Sequence, residues 1–254
     1  MKNVAVITEY NPFHKGHGIQ INKIKELFGE DVRIICIMSG NTVQRGEVAL
    51  YDKYLRAKAA VMHGASAVFE LPFPYSSSCA EIFACAGVYI AKALGGMDAL
   101  VFGSETGDIK VLERVSDRIS SKEFERALEE ISKTNKALPY PRRRQAAYEL
   151  LYGEELLNGA NDILAVEYIK AIKNIALEIT PVTYKRKEGF SAGATRQEIR
   201  HSGTSSGLTE VGREIFEGAP HTDRVRLGQL LLQDLRRAEM SRVQRVFDMP
   251  RDLG

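Results

Sequence analysis

The stretch VAVITEYNPFHKGHGIQINKIKELF, residues 4–28, decides the fold. Its first five residues are an apolar, β-branched run typical of a buried strand, and helical periodicity begins at Ile19. His14 and His17 stand three residues apart at the predicted strand-to-helix turn, so both imidazoles can face one point above the helix N-terminus. The backbone N–H groups and the positive end of the helix dipole converge on that point, and Gly16 permits close approach. The turn therefore predicts a phosphate site.

Three more apolar runs, residues 32–38, 67–71 and 99–102, alternate with segments of helical periodicity. This alternation predicts an α/β fold with a Rossmann-like, doubly wound parallel sheet. Asp52 is the expected N-cap of one crossover helix, and Ser77 or Ser78 that of the next.

Charged amphipathic helices follow Phe102 and predict a helical insertion at about 106–175. One of these helices has Asn161 or Asp162 as its expected cap, and it leads to a fifth strand at residues 177–184. The cluster SGTSSG suggests a domain boundary, which divides the chain into an ATP-binding domain at 1–205 and a helical C-terminal extension at 206–254.

The composition of the 254 residues, 44% hydrophobic and 27% charged, is that of a folded globular protein. A net charge of +2 is too small to indicate a nucleic-acid partner by itself. Cys36, Cys79 and Cys85 lack CxxC spacing and stand in apolar surroundings, so we expect buried thiols without a disulfide or zinc site. No apolar run reaches about 20 residues and no signal peptide is visible, so we predict a cytoplasmic protein without a membrane partner.

Two further segments carry candidate binding residues. In SAGATRQEIR, Ser191 and Arg196 can bind the triphosphate through hydroxyl, N–H and guanidinium donors, or the segment is an ordinary helix start with a solvated arginine. In MSGNTVQRG, which follows the second strand, Asn41, Gln44 and Arg45 can orient a small carboxylate or a cytosine edge. The alternative for this block is a solvated loop whose glycines only form the turn.

Five segments together resemble the tRNA(Met) cytidine acetate ligase family, whose fold is of the HxGH nucleotidyltransferase type. They are EYNPFHKGH, MSGNTVQRGEVALYDKYLRA, FELPFPYS, ALVFGSETGD and NDILAVEYIKAI, in order between Val4 and about Arg200. The resemblance implies that the chain activates acetate with ATP, forming acetyl-adenylate and pyrophosphate, and then acetylates N4 of the wobble cytidine in elongator tRNA(Met). It implies no DNA partner.

The resemblance also implies which residues contact ATP. His14 and His17 would act on the departing pyrophosphate, and the ATP site would be lined by Ile7, Thr8, Glu9, Tyr10, Asn11, Pro12, Phe13, His14, Lys15, Gly16, His17, Gly18, Ile19, Gln20, Gly103, Asn161, Arg186 and Lys187. No covalent enzyme intermediate is needed, because catalysis rests on positioning and charge stabilisation. We expect Mg²⁺ to bridge the phosphates, although no carboxylate cluster in the sequence fixes a metal site.

The chain departs from the family pattern at Gly193, where a threonine is expected. Family members also continue past the segment matching FDMPRDLG, so residues 206–254 would correspond to an incomplete tRNA-binding region. Candidate RNA contacts, which are equally typical of solvated helix faces, are Arg142, Arg143, Arg144, Arg236, Arg237, Arg242 and Arg245. Two other functions fit the HxGH turn. One is a small-molecule adenylyltransferase of the pantetheine-phosphate or nicotinate-nucleotide kind, and the other is a catalytically silent ATP- or RNA-binding protein.

Overall fold

The computed structural model describes residues 1–135, 137–187, 189–239 and 241, apart from the side chain of Arg45. Arg242 and Arg245, two of the candidate RNA contacts, lie outside this range. The chain divides into two compact units, Met1–Ala219 and Pro220–Gly254. No helix within the described ranges is long and apolar enough to cross a membrane.

The strands of the described chain are β1 (Asn3–Thr8), β2 (Arg33–Ser39), β3 (Thr42–Val43), β4 (Glu47–Val48), β5 (Ala67–Leu71), β6 (Ala99–Ser104) and β7 (Thr180–Lys185). The helices are α1 (Lys15–Phe28), α2 (Lys53–Met62), α3 (Ala80–Leu94), α4 (Ile109–Ile119), α5 (Lys122–Thr134), α6 (Tyr140–Tyr152), α7 (Ala160–Ile175), α8 (Ala192–Ser202), α9 (Glu210–Phe216) and α10 (Arg224–Arg237). All except α10 belong to the first unit.

Five strands form one parallel sheet in the order β5-β2-β1-β6-β7. The chain builds outward from β1 through β2 to β5, and then returns to place β6 and β7 on the other side of β1. The predicted doubly wound parallel sheet is therefore confirmed. Ligands of such sheets bind at the carboxyl ends of the strands where the order reverses, which here is the edge above β1 and β6.

Alternating residues of β1 point into two different hydrophobic cores, as the two-residue period of a strand requires. Val4 and Val6 are buried under α1, α2, α8 and α9. Ala5 and Ile7 are buried under α3 and the four helices α4 to α7, which connect β6 to β7. The sheet thus has an α1 face and an α3 face, and the carboxyl edge opens between them.

The first unit continues to Ala219, so the boundary predicted at residue 205 falls inside it. The segment after residue 205 belongs to the first unit because it shares the core of α1 and α2, in which the side chains of Leu208, Ile215 and Phe216 are buried.

Several local expectations differ from the structure. Ser77 and Ser78 do not cap α3, because their hydroxyl groups donate to the carbonyl of Pro74 at a short 3₁₀ turn and Cys79 takes the cap position. Asp52 does cap α2, and its carboxylate accepts the N–H groups of Tyr54 and Leu55.

The fifth strand begins at Thr180 rather than at Leu177, whose side chain is 81% exposed. The prediction of buried thiols is correct for Cys36 but wrong for Cys79 and Cys85, which are exposed. Helix α3 buries only one side, which carries Phe83, Ala84, Gly87, Val88 and Ala91. Cys85 lies off that side, and Cys79 precedes the helix as its N-cap.

Candidate active site

A cavity of about 670 Å³ opens at the carboxyl ends of β1, β6 and β7. The predicted site residues that line it are Ile7, Thr8, Glu9, Tyr10, Asn11, His14, Gly16, His17, Gln20, Gln44, Gly103, Asn161, Arg186, Lys187, Ser191 and Arg196. The remaining predicted residues whose side chains are described lie outside this lining, namely Pro12, Phe13, Lys15, Gly18, Ile19 and Asn41. The turn after β1 and the segment after β7, far apart in the chain, therefore share one cavity.

His14 and His17 stack on each other, with ring centroids 3.8 Å apart and ring planes 26° apart. His14 is the N-cap of α1, and its Nδ1 accepts the N–H of Gly16 at 3.0 Å. Nδ1 of His17 accepts the N–H of His14 at 3.2 Å. Because each Nδ1 is an acceptor, the hydrogen-bond pattern assigns the proton of each neutral ring to Nε2. Two Nε2–H donors thus belong to rings that line the cavity.

Both imidazoles are neutral at pH 7. Burial lowers the pKa of His14 to about 4, and the positive charges of Arg186 and Arg196 act in the same direction. Burial also lowers the pKa of His17, with further contributions from His14 and Arg186. The histidines can therefore donate hydrogen bonds to an anion, while the full positive charges come from the arginines.

The first N–H groups of α1 already have protein acceptors. The N–H of Lys15 donates to the carbonyl of Gly207 at 2.9 Å, that of Gly16 donates to His14, and that of His17 donates to the carbonyl of His14 at 2.8 Å. From the sequence we expect these N–H groups to bind the phosphate, but in the structure they donate to protein atoms. The imidazole Nε2–H groups are therefore the donors that this turn offers to an anion. The helix still contributes its dipole.

Arg186 is held over the end of β6. A Cβ on Gly103 would lie 2.7 Å from Cγ of Arg186 and 3.0 Å from the ring of Tyr184, so only glycine leaves room for both side chains. The guanidinium of Arg186 donates to Oδ1 of Asn161, and Nδ2 of Asn161 donates to Glu105 at 2.6 Å. The arginine, the asparagine and the glutamate therefore form one hydrogen-bonded chain along the cavity wall.

Glu105 and Asp162 lock the loop after β6 to the start of α7. The carboxylate of Glu105 accepts the N–H groups of Asn161 and Asp162, the latter at 2.7 Å. In return, Asp162 accepts the N–H of Thr106 at 3.0 Å and its hydroxyl at 2.7 Å. Although burial opposes ionisation, these hydrogen bonds lower the pKa of Glu105. The predicted caps Asn161 and Asp162 lie inside α7, because the cap residue is Gly159 and Glu105 supplies the carboxylate from a distant segment.

Helix α8 brings its N-terminus to the cavity. Ser191 is its N-cap and accepts the N–H of Ala194 at 3.4 Å, and the first helical residues, Ala192 and Gly193, line the cavity. Arg196 donates to the carbonyl of Asn11 at 2.9 Å, which ties α8 to the turn after β1. The segment is thus a capped helix start that also faces the cavity, and Arg196 is not a solvated arginine, because only 19% of its side chain is exposed. Triphosphate binding by Ser191 and Arg196 stays a prediction.

The loop after β2 contributes Gln44, whose backbone N–H donates to the carboxyl of Glu9 at 2.9 Å. Burial raises the pKa of Glu9, although hydrogen bonding from Gln44 and the charge of Arg196 oppose this. Asn41 instead holds the loop together, because its side-chain oxygen accepts the N–H of Lys53 and its carbonyl accepts that of Ala49.

Arg56 joins the ends of β1 and β2, and sequence reasoning missed it. Its fully buried guanidinium donates to the carbonyls of Glu9, Ser39, Gly40 and Tyr51. Burial lowers its pKa to about 10, and nearby carboxylates oppose the shift. An arginine within a helical pattern predicts an exposed side chain. Its buried position follows only from the distant carbonyl groups that accept its hydrogen bonds, and these cannot be identified from the local sequence.

His63 lies at the C-terminal end of α2, as its C-cap residue. One ring nitrogen lies 2.6 Å from the carbonyl oxygen of Ala59, the other lies 2.8 Å from the hydroxyl of Thr209, and the ring stacks on Phe13.

The fold and the cavity define an α/β protein of the nucleotide-handling class, with anion donors above the switch point of a doubly wound sheet. Its sequence matches the family model described as HIGH Nucleotidyl Transferase over residues 1–249, and the chain belongs to that family.

The resemblance to tRNA(Met) cytidine acetate ligases is confirmed. Over 188 residues the chain is 40% identical to the enzyme of that name from Caldicellulosiruptor saccharolyticus, covering 73% of this chain and 46% of the relative. Over 233 residues it is 38% identical to that of Clostridium perfringens, covering 82% and 57%. The chain spans about half the length of the curated relatives it matches.

Solved structures of Thermotoga maritima TmcAL are also similar. The structure bound with alpha-thio ATP has a TM-score of 0.82 and 33% identity, and the match covers 95% of this chain and 62% of that one. The apo structure has a TM-score of 0.84 and 32% identity, with coverage of 98% and 65%.

Proposed function

We propose that this chain uses ATP to activate acetate, and that the acetyl-adenylate then acetylates N4 of the wobble cytidine of elongator tRNA(Met). One observation carries the proposal. The neutral His14 and His17 share a cavity with the cationic side chains of Arg186, Lys187 and Arg196. Departing pyrophosphate gains negative charge, and such donors and cations stabilise it where that charge develops.

In the first step, a carboxylate oxygen of acetate attacks the α-phosphorus of ATP. A carbon–oxygen–phosphorus linkage forms, and the bond from the α-phosphorus to the bridging oxygen breaks, its electron pair leaving with pyrophosphate. No side chain forms a covalent bond to the substrate. The protein acts by holding the reacting groups in line and by donating hydrogen bonds from His14 and His17.

A magnesium ion would fit this chemistry, since Mg²⁺ keeps several waters and is usually bound by substrate phosphates plus one or two carboxylates. The carboxylates that line the cavity are those of Glu9, Glu47 and Glu105. Within the described ranges, no cluster of three or more His, Cys, Asp or Glu side chains could hold a metal by itself. We therefore expect the nucleotide to bring the ion with it, where it would offset phosphate charge.

In the second step, the N4 amine of a flipped-out cytidine attacks the acetyl carbonyl. A carbon–nitrogen bond forms, the bond from the carbonyl carbon to the phosphate oxygen breaks, and AMP leaves with that electron pair while N4 loses a proton to solvent. Exposed arginines on α6 and α10, namely Arg142, Arg236 and Arg237, are candidate contacts for RNA phosphates. Arg144 is less suited, because it pairs with the buried Glu167 at 3.0 Å. A tRNA substrate also implies the cytoplasmic location predicted from the sequence.

The adenylation step is tested by ATP–pyrophosphate exchange. We expect exchange to depend on acetate, and His17→Ala to reduce it at least a hundredfold, because removing one donor to a developing charge typically costs about 10²–10³ in rate. His201→Ala is the matched control, since His201 is an exposed histidine at the end of α8. Acetylated cytidine after addition of elongator tRNA(Met) tests the second step.

Two results would count against the proposal. Exchange that requires a phosphorylated metabolite instead of acetate would favour a small-molecule adenylyltransferase. ATP binding without exchange, in the parent chain as in His17→Ala, would favour a catalytically silent nucleotide-binding protein.

A further inference from the structure

One wall of the cavity is apolar. We call it the apolar pocket, and it consists of the side chains of Ile7, Phe83, Phe102, Leu164 and Tyr168. Only Ile7 among these five is a site residue expected from the sequence. Phe83 and Tyr168 are almost fully buried, with 1% and 4% of their surface exposed, and the rings of Phe102 and Tyr168 have centroids 5.5 Å apart.

This wall lies on the α3 face of the sheet, whereas the histidines lie on the α1 face. Ile7 belongs to the core under α3 and α7, and its neighbour Val6 to the core under α1. A Cβ on Gly87 would lie 2.6 Å from Cδ1 of Ile7, so the glycine lets α3 pack directly on β1. Phe83, one turn before Gly87, then stands over the same strand near its carboxyl end.

The chemistry of the proposed first step needs two opposite sides. Displacement at phosphorus places the attacking and leaving oxygens roughly in line. If pyrophosphate departs toward His14 and His17 on the α1 face, the carboxylate must approach from the α3 face. The apolar pocket is the part of the cavity on that side, and it offers hydrocarbon surface to the end of the substrate that carries no charge.

We propose that the apolar pocket receives the alkyl group of the carboxylate, and that Phe83 and Leu164 set the length of carboxylate the enzyme accepts. This inference rests on the proposed function and deepens it. Both side chains are apolar and lie on the α3 face of the cavity, opposite His14 and His17, so they act on substrate choice rather than by donating hydrogen bonds to the phosphates.

The test measures ATP–pyrophosphate exchange with formate, acetate, propionate and butyrate for the parent chain and for variants of the pocket. Leu164→Ala and Phe83→Leu enlarge the pocket, and we expect each to raise kcat/KM for butyrate relative to acetate about tenfold or more, since one methylene in an apolar pocket changes discrimination about 10–200-fold. Leu164→Phe narrows it and should shift preference toward formate. Tyr89→Ala, at a 63% exposed position of α3, is the control.

The outcomes are distinguishable. Unchanged carboxylate preference in all three pocket variants, with KM for ATP raised, would overturn the inference and assign the pocket to the nucleotide base. If no carboxylate supports exchange in the parent chain, the proposed function itself fails before any variant is made. Because Leu164 is only half-buried, we expect both of its variants to fold. These two variants test the inference even if circular dichroism shows that Phe83→Leu is unfolded.

Discussion

Acid should destabilise this protein through its buried histidine pair. Burial lowers the pKa of His14 from its usual 6.5 to about 4. Between these values the unfolded chain binds a proton that the folded chain excludes, so stability that is present above pH 6.5 is lost as pH falls toward 4. At pH 5 the loss from His14 alone is about 2 kcal/mol, since each pKa unit corresponds to about 1.36 kcal/mol. His17 adds to it in the same direction.

The variant His14→Asn isolates this effect. Asparagine is a good N-cap, and its side-chain oxygen can accept the N–H of Gly16 that Nδ1 of His14 accepts now. The helix start is thereby kept while the titrating ring is removed. Urea unfolding followed by circular dichroism at pH 7 and pH 5 gives the difference in stability between the two conditions. We expect that difference to be about 2 kcal/mol smaller in His14→Asn than in the parent chain.

His201→Asn makes the same replacement at an exposed position and should leave the pH dependence of the parent chain unchanged. A His14→Asn variant that loses as much stability as the parent chain between pH 7 and pH 5 would refute the neutral, buried state of the ring. So would a ¹⁵N NMR spectrum showing both nitrogens of His14 protonated at pH 7.

Three other substitutions test the surroundings of the site. Arg56→Met removes the hydrogen-bond donor from four carbonyl groups. We expect the free energy of unfolding, measured in urea, to fall by about 3 kcal/mol. The reason is that charge-assisted hydrogen bonds of about 1.5–3 kcal/mol each outweigh the cost of burying the charge. Gly103→Ala displaces Arg186 and should weaken ATP binding about tenfold by titration calorimetry, since losing one charge-assisted contact costs roughly 1.5 kcal/mol. Glu9→Gln removes a carboxyl group whose pKa is raised by burial. The stability that the protonated carboxyl contributes is lost as pH rises through its pKa in the folded chain. At pH 7 the variant should therefore melt no lower than the parent.

Each of these has a result that contradicts it. Lys58→Met, at an exposed position of the same helix as Arg56, should change stability little, and an equally small effect of Arg56→Met would show that the four carbonyls do not need the guanidinium. Unaltered ATP affinity in Gly103→Ala would separate Arg186 from nucleotide binding. A lower melting temperature of Glu9→Gln at pH 7 would mean that the ionised carboxylate stabilises the fold.

The features that the sequence predicted correctly are those determined by interactions between residues that are close together in the chain. Buried parallel strands appear in the sequence as continuous apolar runs, so the predicted run at residues 4–8 lies within β1. The run at residues 67–71 coincides with β5, although β5 is an edge strand in which only Leu71 is buried. The pair His14 and His17 follows from spacing at a strand-to-helix turn. Predicting it needs no knowledge of any distant segment.

The features that were missed depend on partners far along the chain. Arg56 is satisfied by carbonyl groups of β1 and β2, and the start of α7 is set by Glu105, which reaches Asp162 from 57 residues away. Asn41 was expected at the substrate, yet it accepts the N–H of Lys53, because a loop must satisfy its own backbone groups first. A single-sequence pattern holds no information on which distant donor meets which acceptor.

The neutrality of the histidines shapes the whole site. Since neither ring carries charge at pH 7, the protein's own countercharge for the proposed triphosphate would come from the cationic side chains that line the cavity at the end of β7 and in α8, namely Lys185, Arg186, Lys187 and Arg196. Anion binding therefore requires both halves of the sheet, which meet at β1 and β6. The same strand β1 separates the histidine pair from the apolar pocket, because its successive residues point to opposite faces, whereas Arg186 reaches Asn161 on α7 beside the pocket. Substitutions of His14 and His17 should accordingly alter the handling of ATP and pyrophosphate, and those of Phe83 and Leu164 the choice of carboxylate.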